Sequence, residues 1–444
     1  MKIASCLSLL GCALASAAWA APLGALVDPD VPSLVATYQD LHAHPELSMH
    51  EERTAALLAT ELRKVGYAVT ERVGRYPDGT QAYGVVAILE NGPGPRLAIR
   101  ADLDALPVTE DTGLPYASQV RAKNAAGQEV GVMHACGHDV HVTTMIGTAR
   151  VLAATRSKWH GTLMLIGQPA EETAAGSIAM LADRLYERFG RPDMVIGLHD
   201  SATRAAGTVG VAAGAAAAGM TAIDVTLRGI GGHGAEPQNG KDPVVMAGEF
   251  IMQLQTIVSR QENPRDPAVV TVGTIHGGTK RNIIPDEVRL ELTTRAFSDK
   301  AIAIIVDGVR RTAAGVALAA GVPEDRAPIV NVMTHESLPP TYNDPALSGR
   351  VHTALVGALG AANVFDEEPA MFSEDFGLFG LAGHQIPTVL FFLGANDPDK
   401  FAAAKAAGQR LPGLHTSRFQ PLPAPTLRTG VLAMASVATA LLQR

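Results

Sequence analysis

The nine residues Met133-His134-Ala135-Cys136-Gly137-His138-Asp139-Val140-His141 hold a thiol, three imidazoles and a carboxylate, with one glycine to turn the backbone. Cys136 and His138 stand two apart, so an extended or turning backbone lets both face one point. Thiolate and imidazole are the ligands a borderline-soft divalent metal prefers. An isolated Cys-x-His triplet is also compatible with a polar loop whose histidines bond their neighbours. Further ligands and a base must therefore come from elsewhere in the chain.

Residues 96–100 read as a strand running into Ala101-Asp102-Leu103-Asp104, two carboxylates at a strand's C-terminal end, where open α/β sheets place their sites. Residues 161–167 form an apolar run short enough for a buried strand, and it ends in Gln168-Pro169-Ala170-Glu171-Glu172. Adjacent carboxylates after a buried strand repel unless a cation sits between or beside them. If one binds metal, its neighbour can face the attacking water and act as general base. A strand over residues 193–198 delivers His199 in the same strand-end position, and Leu414-His415-Thr416 offers one more nitrogen ahead of the last helix.

The elements that must position these groups follow from pattern. Residues 31–65 predict two helices with a turn at His44-Pro45-Glu46-Leu47, because Pro45 disfavours helix for His44. Residues 84–89 and 96–100 predict strands around a Gly/Pro turn, and residues 143–154 a helix. The small-residue run at 214–219 reads as a linker. Beyond it, alternating strands and helices at 243–259 and 300–319 suggest an inserted α+β domain. Within that insert, Gly229-Ile230-Gly231-Gly232-His233-Gly234 matches a dinucleotide fingerprint only formally, since a loop-like segment follows where a helix must open.

Composition narrows the function classes. The 444 residues are 47% hydrophobic and 18% charged, as in ordinary globular proteins, and suggest more than one domain. A net charge of −8 without a basic stripe argues against nucleic acid as partner. No later run is long enough for a membrane span. Lys2, the apolar stretch 3–18 and Ala18-Trp19-Ala20 predict a signal peptide over residues 1–20, hence a periplasmic or secreted protein. The competing reading is a lipoprotein anchored at Cys12, for which Leu10 is bulky. Of three cysteines, Cys6 and Cys12 would leave with the signal peptide, so Cys136 would be the sole thiol in an oxidising compartment, where metal ligation would protect it.

Eight stretches in this order resemble the aminoacylase-like family of dinuclear metallopeptidases, in its amidohydrolase branch of hippurate hydrolases, N-acyl-amino-acid amidohydrolases and auxin-conjugate hydrolases. They are H-x-H-P-E-L at 42–47, R-A-D-L-D-A-L-P at 100–107, H-A-C-G-H-D-V-H at 134–141, Q-P-A-E-E at 168–172, G-G-H at 231–233, N-I-I-P-D at 282–286, S-E-D-F at 373–376 and L-H-T at 414–416. The resemblance implies an α/β fold: a zinc-peptidase-like catalytic domain with a mixed, largely parallel sheet, at 28–215 and 331–444, and an inserted α+β lid or dimerisation domain at 216–330. It implies two divalent metal ions, with Cys136 bridging, His138 and His199 on one, and Glu172 and His415 on the other. Glu171 would be general base, Asp104 would orient the site, and His233 and Asn282 would meet the substrate carbonyl or carboxylate. Asp102 falls where many relatives have a histidine ligand, a duty His138 would take over. Gly234, Phe372 and the segment Thr416-Ser417-Arg418-Phe419 depart from the usual pattern, and Arg228 and Arg281 add charge near the insert's motifs.

The expectation is an exported metal-dependent amidohydrolase of N-acyl amino acids. Zinc is favoured by ligand softness and manganese, nickel or cobalt are equally compatible with the resemblance. A homodimer through the insert is implied. A carboxypeptidase or dipeptidase on the same site is the nearest alternative. A non-catalytic metal-binding protein predicts a lost base or ligand, and none is missing.

Overall fold

The computed structural model describes residues 23–381 and 383–443. The expected signal peptide, with Cys6 and Cys12, lies outside the described residues. The chain forms two compact units: one runs to Gly214 and resumes at Tyr342–Glu368 and Leu378–Arg444, the other comprises Ala215–Thr341 and Pro369–Gly377.

The first unit is built on an eight-stranded sheet. Its four central strands, Gly161–Gln168, Arg96–Asp102, Met194–Ala205 and Thr388–Asn396, run parallel in that order. They are continuous apolar runs buried almost throughout, as strands covered on both faces must be. Gln81–Asn91 and Ala68–Arg75 extend the sheet antiparallel on one side, and Val209–Val211 and Val364–Asp366 extend it on the other. The sheet is therefore mixed and largely parallel, as expected. The strands flanking the Gly/Pro turn at 91–95 do not form a hairpin, because Gly161–Gln168 lies between them. Helices Val31–Ala43, His138–Ala154 and Pro423–Leu441 share a core in which Leu34, Ile146 and Val431 are buried.

The second unit is a four-stranded antiparallel sheet ordered Ala268–Gly277, Glu287–Ala296, Gly219–Arg228, Ile329–Leu338. Burial alternates along Gly219–Arg228, so one face takes Ile223, Val225 and Leu227 into a core with Phe250 and Leu254 of helix Pro243–Thr256 and Ile305 and Val309 of helix Asp299–Ala319. The boundary expected at residue 330 moves to Thr341, because Ile329–Leu338 is an edge strand of this sheet. The segment Pro369–Gly377 also belongs here: the Ala218 amide bonds the carbonyls of Ala370 and Phe372, both at 3.0 Å. The run at 214–219 is not a coil linker, since Gly214–Ala217 is a strand and another begins at Gly219.

Candidate metal centre

Backbone geometry explains how Cys136 and His138 come to face one point. Gly137 takes the left-handed conformation (φ 79°) and opens the helix His138–Ala154, five residues earlier than the apolar periodicity predicts. A β-carbon on Gly137 would stand 2.3 Å from either carboxylate oxygen of Asp200, so only glycine fits between the two ligand candidates. His415, also left-handed (φ 62°), is tied beside them by its amide, which donates to the Ala135 carbonyl at 2.8 Å. His199 lies inside the strand Met194–Ala205 rather than at its end. The neighbouring Arg96–Asp102 strand pairs with it only as far as Gly197, beyond which that side of the strand is open to the centre.

Cys136 Sγ lies 3.5 Å from His199 Nε2 and 3.2 Å from His415 Nε2. His138 Nε2 stands 3.9 Å from both Glu171 Oε2 and Glu172 Oε1, and His415 Nε2 is 3.5 Å from Glu172 Oε2. Ligand atoms within 4.8 Å of one another define one triad of Cys136, His138 and His199 and another of Cys136, Glu172 and His415, sharing the sulfur. The first triad is buried. The second opens outward through His415, whose side chain is 56% exposed.

The ring orientations suit metal ligation. His138 Nδ1 donates to the Asp104 carbonyl (2.9 Å) and His199 Nδ1 to the Asp200 carbonyl (2.7 Å). A carbonyl only accepts, so Nδ1 carries a proton in both rings and Nε2 is the atom left to face the centre. His138 Nε2 and Glu172 Oε1 are buried without a hydrogen-bond partner among the described residues. Burial, then Glu172, Glu171 and Asp200, pushes the Cys136 thiol well up. Burial raises Glu172 to about 7; it also pulls His138 down, yet Asp104, Asp102 and Glu172 outweigh that and lift His138 to about 10. A cavity this crowded with carboxylates holds protons where a dication would neutralise them, and the donor set of one thiol, three imidazoles and the Glu172 carboxylate fits such ions.

Asp104 sits behind the ligands. Its Oδ2 accepts from Ser48 Oγ (2.6 Å) and from the Glu172 amide (3.1 Å), which fixes the start of the Glu171-Glu172 turn. Asp102 pairs with buried Arg100 at 2.6 Å and lies 3.0 Å from His141 Nδ1. The other His141 nitrogen is 3.2 Å from Asp200 Oδ1, so this ring links two carboxylates beneath the centre. His141 and Asp200 received no role from sequence, although His141 is one helical turn from His138 and must share its face. His134, the third imidazole of the stretch, is drawn into neither triad; burial pulls it down to about 4 and keeps it neutral.

His233 and Asn282 belong to the second unit. There, Gly232–His233 and Ile283–Ile284 form a two-stranded ladder, and the Gly234 amide donates to the Asn282 carbonyl at 2.9 Å. His233 Nδ1 accepts from the Ala235 amide (3.1 Å), leaving Nε2 as the nitrogen the exposed ring can donate from. Arg228, flagged for its charge, is bonded to the Ala327 carbonyl.

Residues 98–407 match the model of peptidase family M20/M25/M40, a span that includes four of the five ligand candidates and ends before His415. The chain is 36% identical to an N-acetyl-L-cysteine deacetylase of Bacillus subtilis over 346 residues, covering 78% of this chain and 77% of that one. It is 34% identical to the hippurate hydrolase of Campylobacter jejuni over 341 residues, covering 76% and 82%. Its structure superposes with a TM-score of 0.73 and 29% identity on the Bacillus subtilis YXEP protein, a dinuclear metal binding peptidase from the M20 family, covering 93% of this chain and 99% of that chain.

Proposed function

Because the chain belongs to peptidase family M20/M25/M40 and is a hydrolase of amide bonds, we propose that it is an exported two-metal amidohydrolase that cleaves the amide of N-acyl amino acids. The observation that carries the reading is the pair of triads sharing Cys136, with Glu171 turned to the same point as Glu172. The deacetylase and hippurate hydrolase relatives support an acyl group on the nitrogen of an amino acid. Export rests on the pattern of residues 1–20.

Cys136, His138, His199, Glu172 and His415 would hold the cations. When bound, these supply Lewis acidity and lower the pKa of water near neutrality. Glu171 takes the proton of the attacking water and returns it to the departing amine, a task suited to a carboxylate beside the reacting point and 9% exposed. Asp104 holds the Glu172 amide and the His138 ring so that base and ligands keep their spacing. By the resemblance, His233 would donate to the developing oxyanion and Asn282 would bind the substrate.

Glu171→Ala tests this. Its metal content by plasma mass spectrometry should match wild type, with turnover of N-acetyl and N-benzoyl amino acids reduced by about 10²–10⁴. Near-normal turnover would sink the assignment of Glu171. Including dipeptides in the panel separates the acyl reading from a peptidase on the same site, and the same metal analysis identifies the native ion.

A further inference from the structure

Glu51 is a fully buried carboxyl that the chemistry above does not use. Its Oε1 accepts from two backbone amides, Met49 at 2.7 Å and Ala170 at 2.8 Å. Both residues are left-handed, Met49 at φ 70° and Ala170 at φ 49°, a conformation unfavourable for residues with a β-carbon. Ala170 directly precedes Glu171, and its carbonyl accepts from the amides of Ala175 and Gly176, both at 3.1 Å. The backbone that aims the base is thus held from its amide side by Glu51 and from its carbonyl side by its own loop.

The carrier of Glu51 is rigid. It immediately precedes helix Glu52–Lys64, whose Leu58, Ala59 and Leu62 are buried in the core. Glu51 and Asp104 work in parallel across the same two segments. Asp104 joins Ser48 to the Glu172 amide, and Glu51 joins Met49 to the Ala170 amide.

We propose that Glu51 is a positioning residue, holding Ala170 in its strained conformation through a carbonyl-type oxygen and so aiming Glu171 at the substrate. This rests on Glu171 being the base. Burial, then the negative charge of Asp104, pushes Glu51 up to about 8, so near neutrality a neutral carboxyl performs the holding. Glutamine preserves that acceptor without charge; aspartate preserves the carboxyl but retracts it by one methylene.

Full-length Glu51→Gln, Glu51→Asp and Glu51→Ala therefore test the idea. Glu51→Gln should keep kcat within about threefold, whereas Glu51→Asp should lose about tenfold or more in kcat with KM and metal content nearly unchanged. Hydrogen exchange of peptides spanning 169–173, followed in chelated protein, should stay slow in wild type and Glu51→Gln and quicken in Glu51→Asp. Should Glu51→Ala fail to fold, the glutamine–aspartate order still decides. Aspartate active with glutamine inactive would overturn the proposal in favour of a charge role, and metal lost in step with kcat would reduce Glu51 to general support. Hydrolysis that needs Glu171 but ignores Glu51 sinks this inference alone; wild-type hydrolysis indifferent to Glu171→Ala sinks the functional reading itself.

Discussion

His42 sits with a carboxylate on each ring nitrogen, Asp139 at 2.7 Å and Glu110 at 3.1 Å, all three side chains buried. Burial alone would lower it, but Asp139 and Glu110 outweigh that and raise it from 6.5 to about 9. A raised folded-state pKa stabilises below the unfolded value and loses that stabilisation as pH climbs through the folded value. His42 should therefore contribute about 3 kcal/mol below pH 6.5 that is gone above pH 9. The difference in denaturation midpoint between wild type and His42→Asn, taken in chelator, should shrink across that window; a constant difference would refute the ionised pair. His42 and Glu51 illustrate what sequence left hidden at this scale. Cys136 and His138 stand out in the sequence as candidates because they are near neighbours in the chain, and Glu171 because an acidic pair after a buried strand is electrostatically odd. The contacts of His42, Glu51, His141 and Asp200 are made with partners up to 119 residues away, and of these four only His141, one helical turn from His138, carries a local signal.

At the scale of elements, the turn at Gly137 decides whether two side chains become one site. Gly137→Ala must place a methyl group against the Asp200 carboxylate and strain the left-handed turn. A loss of about 1–3 kcal/mol in stability and reduced metal retention are expected. Thermal midpoint and bound metal are the readouts, and a variant equal to wild type in both would show that the turn tolerates another geometry. The four central strands were readable as apolar runs, because strands buried on both faces need no alternation. Their order was not: nothing in residues 81–102 announces that Gly161–Gln168 intervenes, since pairing across the sheet is set by the packing of the intervening helix. The start of helix His138–Ala154 was missed for a related reason. Its first turn, His138-Asp139-Val140-His141, is largely polar, and the apolar period begins only afterwards.

At the scale of the molecule, the insert's sheet ends in Ala268–Gly277, a ten-residue strand with one neighbour and with Val269 and Ile275 exposed. A long apolar edge invites a second strand, and a two-fold partner supplies an identical one. If the homodimer expected through the insert forms along this edge, wild type should elute at twice the chain mass in light scattering and Ile275→Lys at the single mass; a monomeric wild type would end the idea. The two-unit division was legible from the change of texture near residue 215. The return point was not, because the strand Ile329–Leu338 lies past the last helix of the insert, where pattern alone cannot say which sheet it joins.

The excursion of the chain through the insert also separates the ligand candidates in time. Cys136, His138, Glu172 and His199 precede it, whereas His415 follows it. During synthesis or translocation the buried triad can assemble early, but the triad that faces outward waits for almost the whole polypeptide. On the proposed two-metal reading, a chain short of His415 would lack the outward-facing triad. On that reading the second ion would be drawn from whichever compartment holds the finished molecule, so cellular supply as well as ligand preference would select the metal.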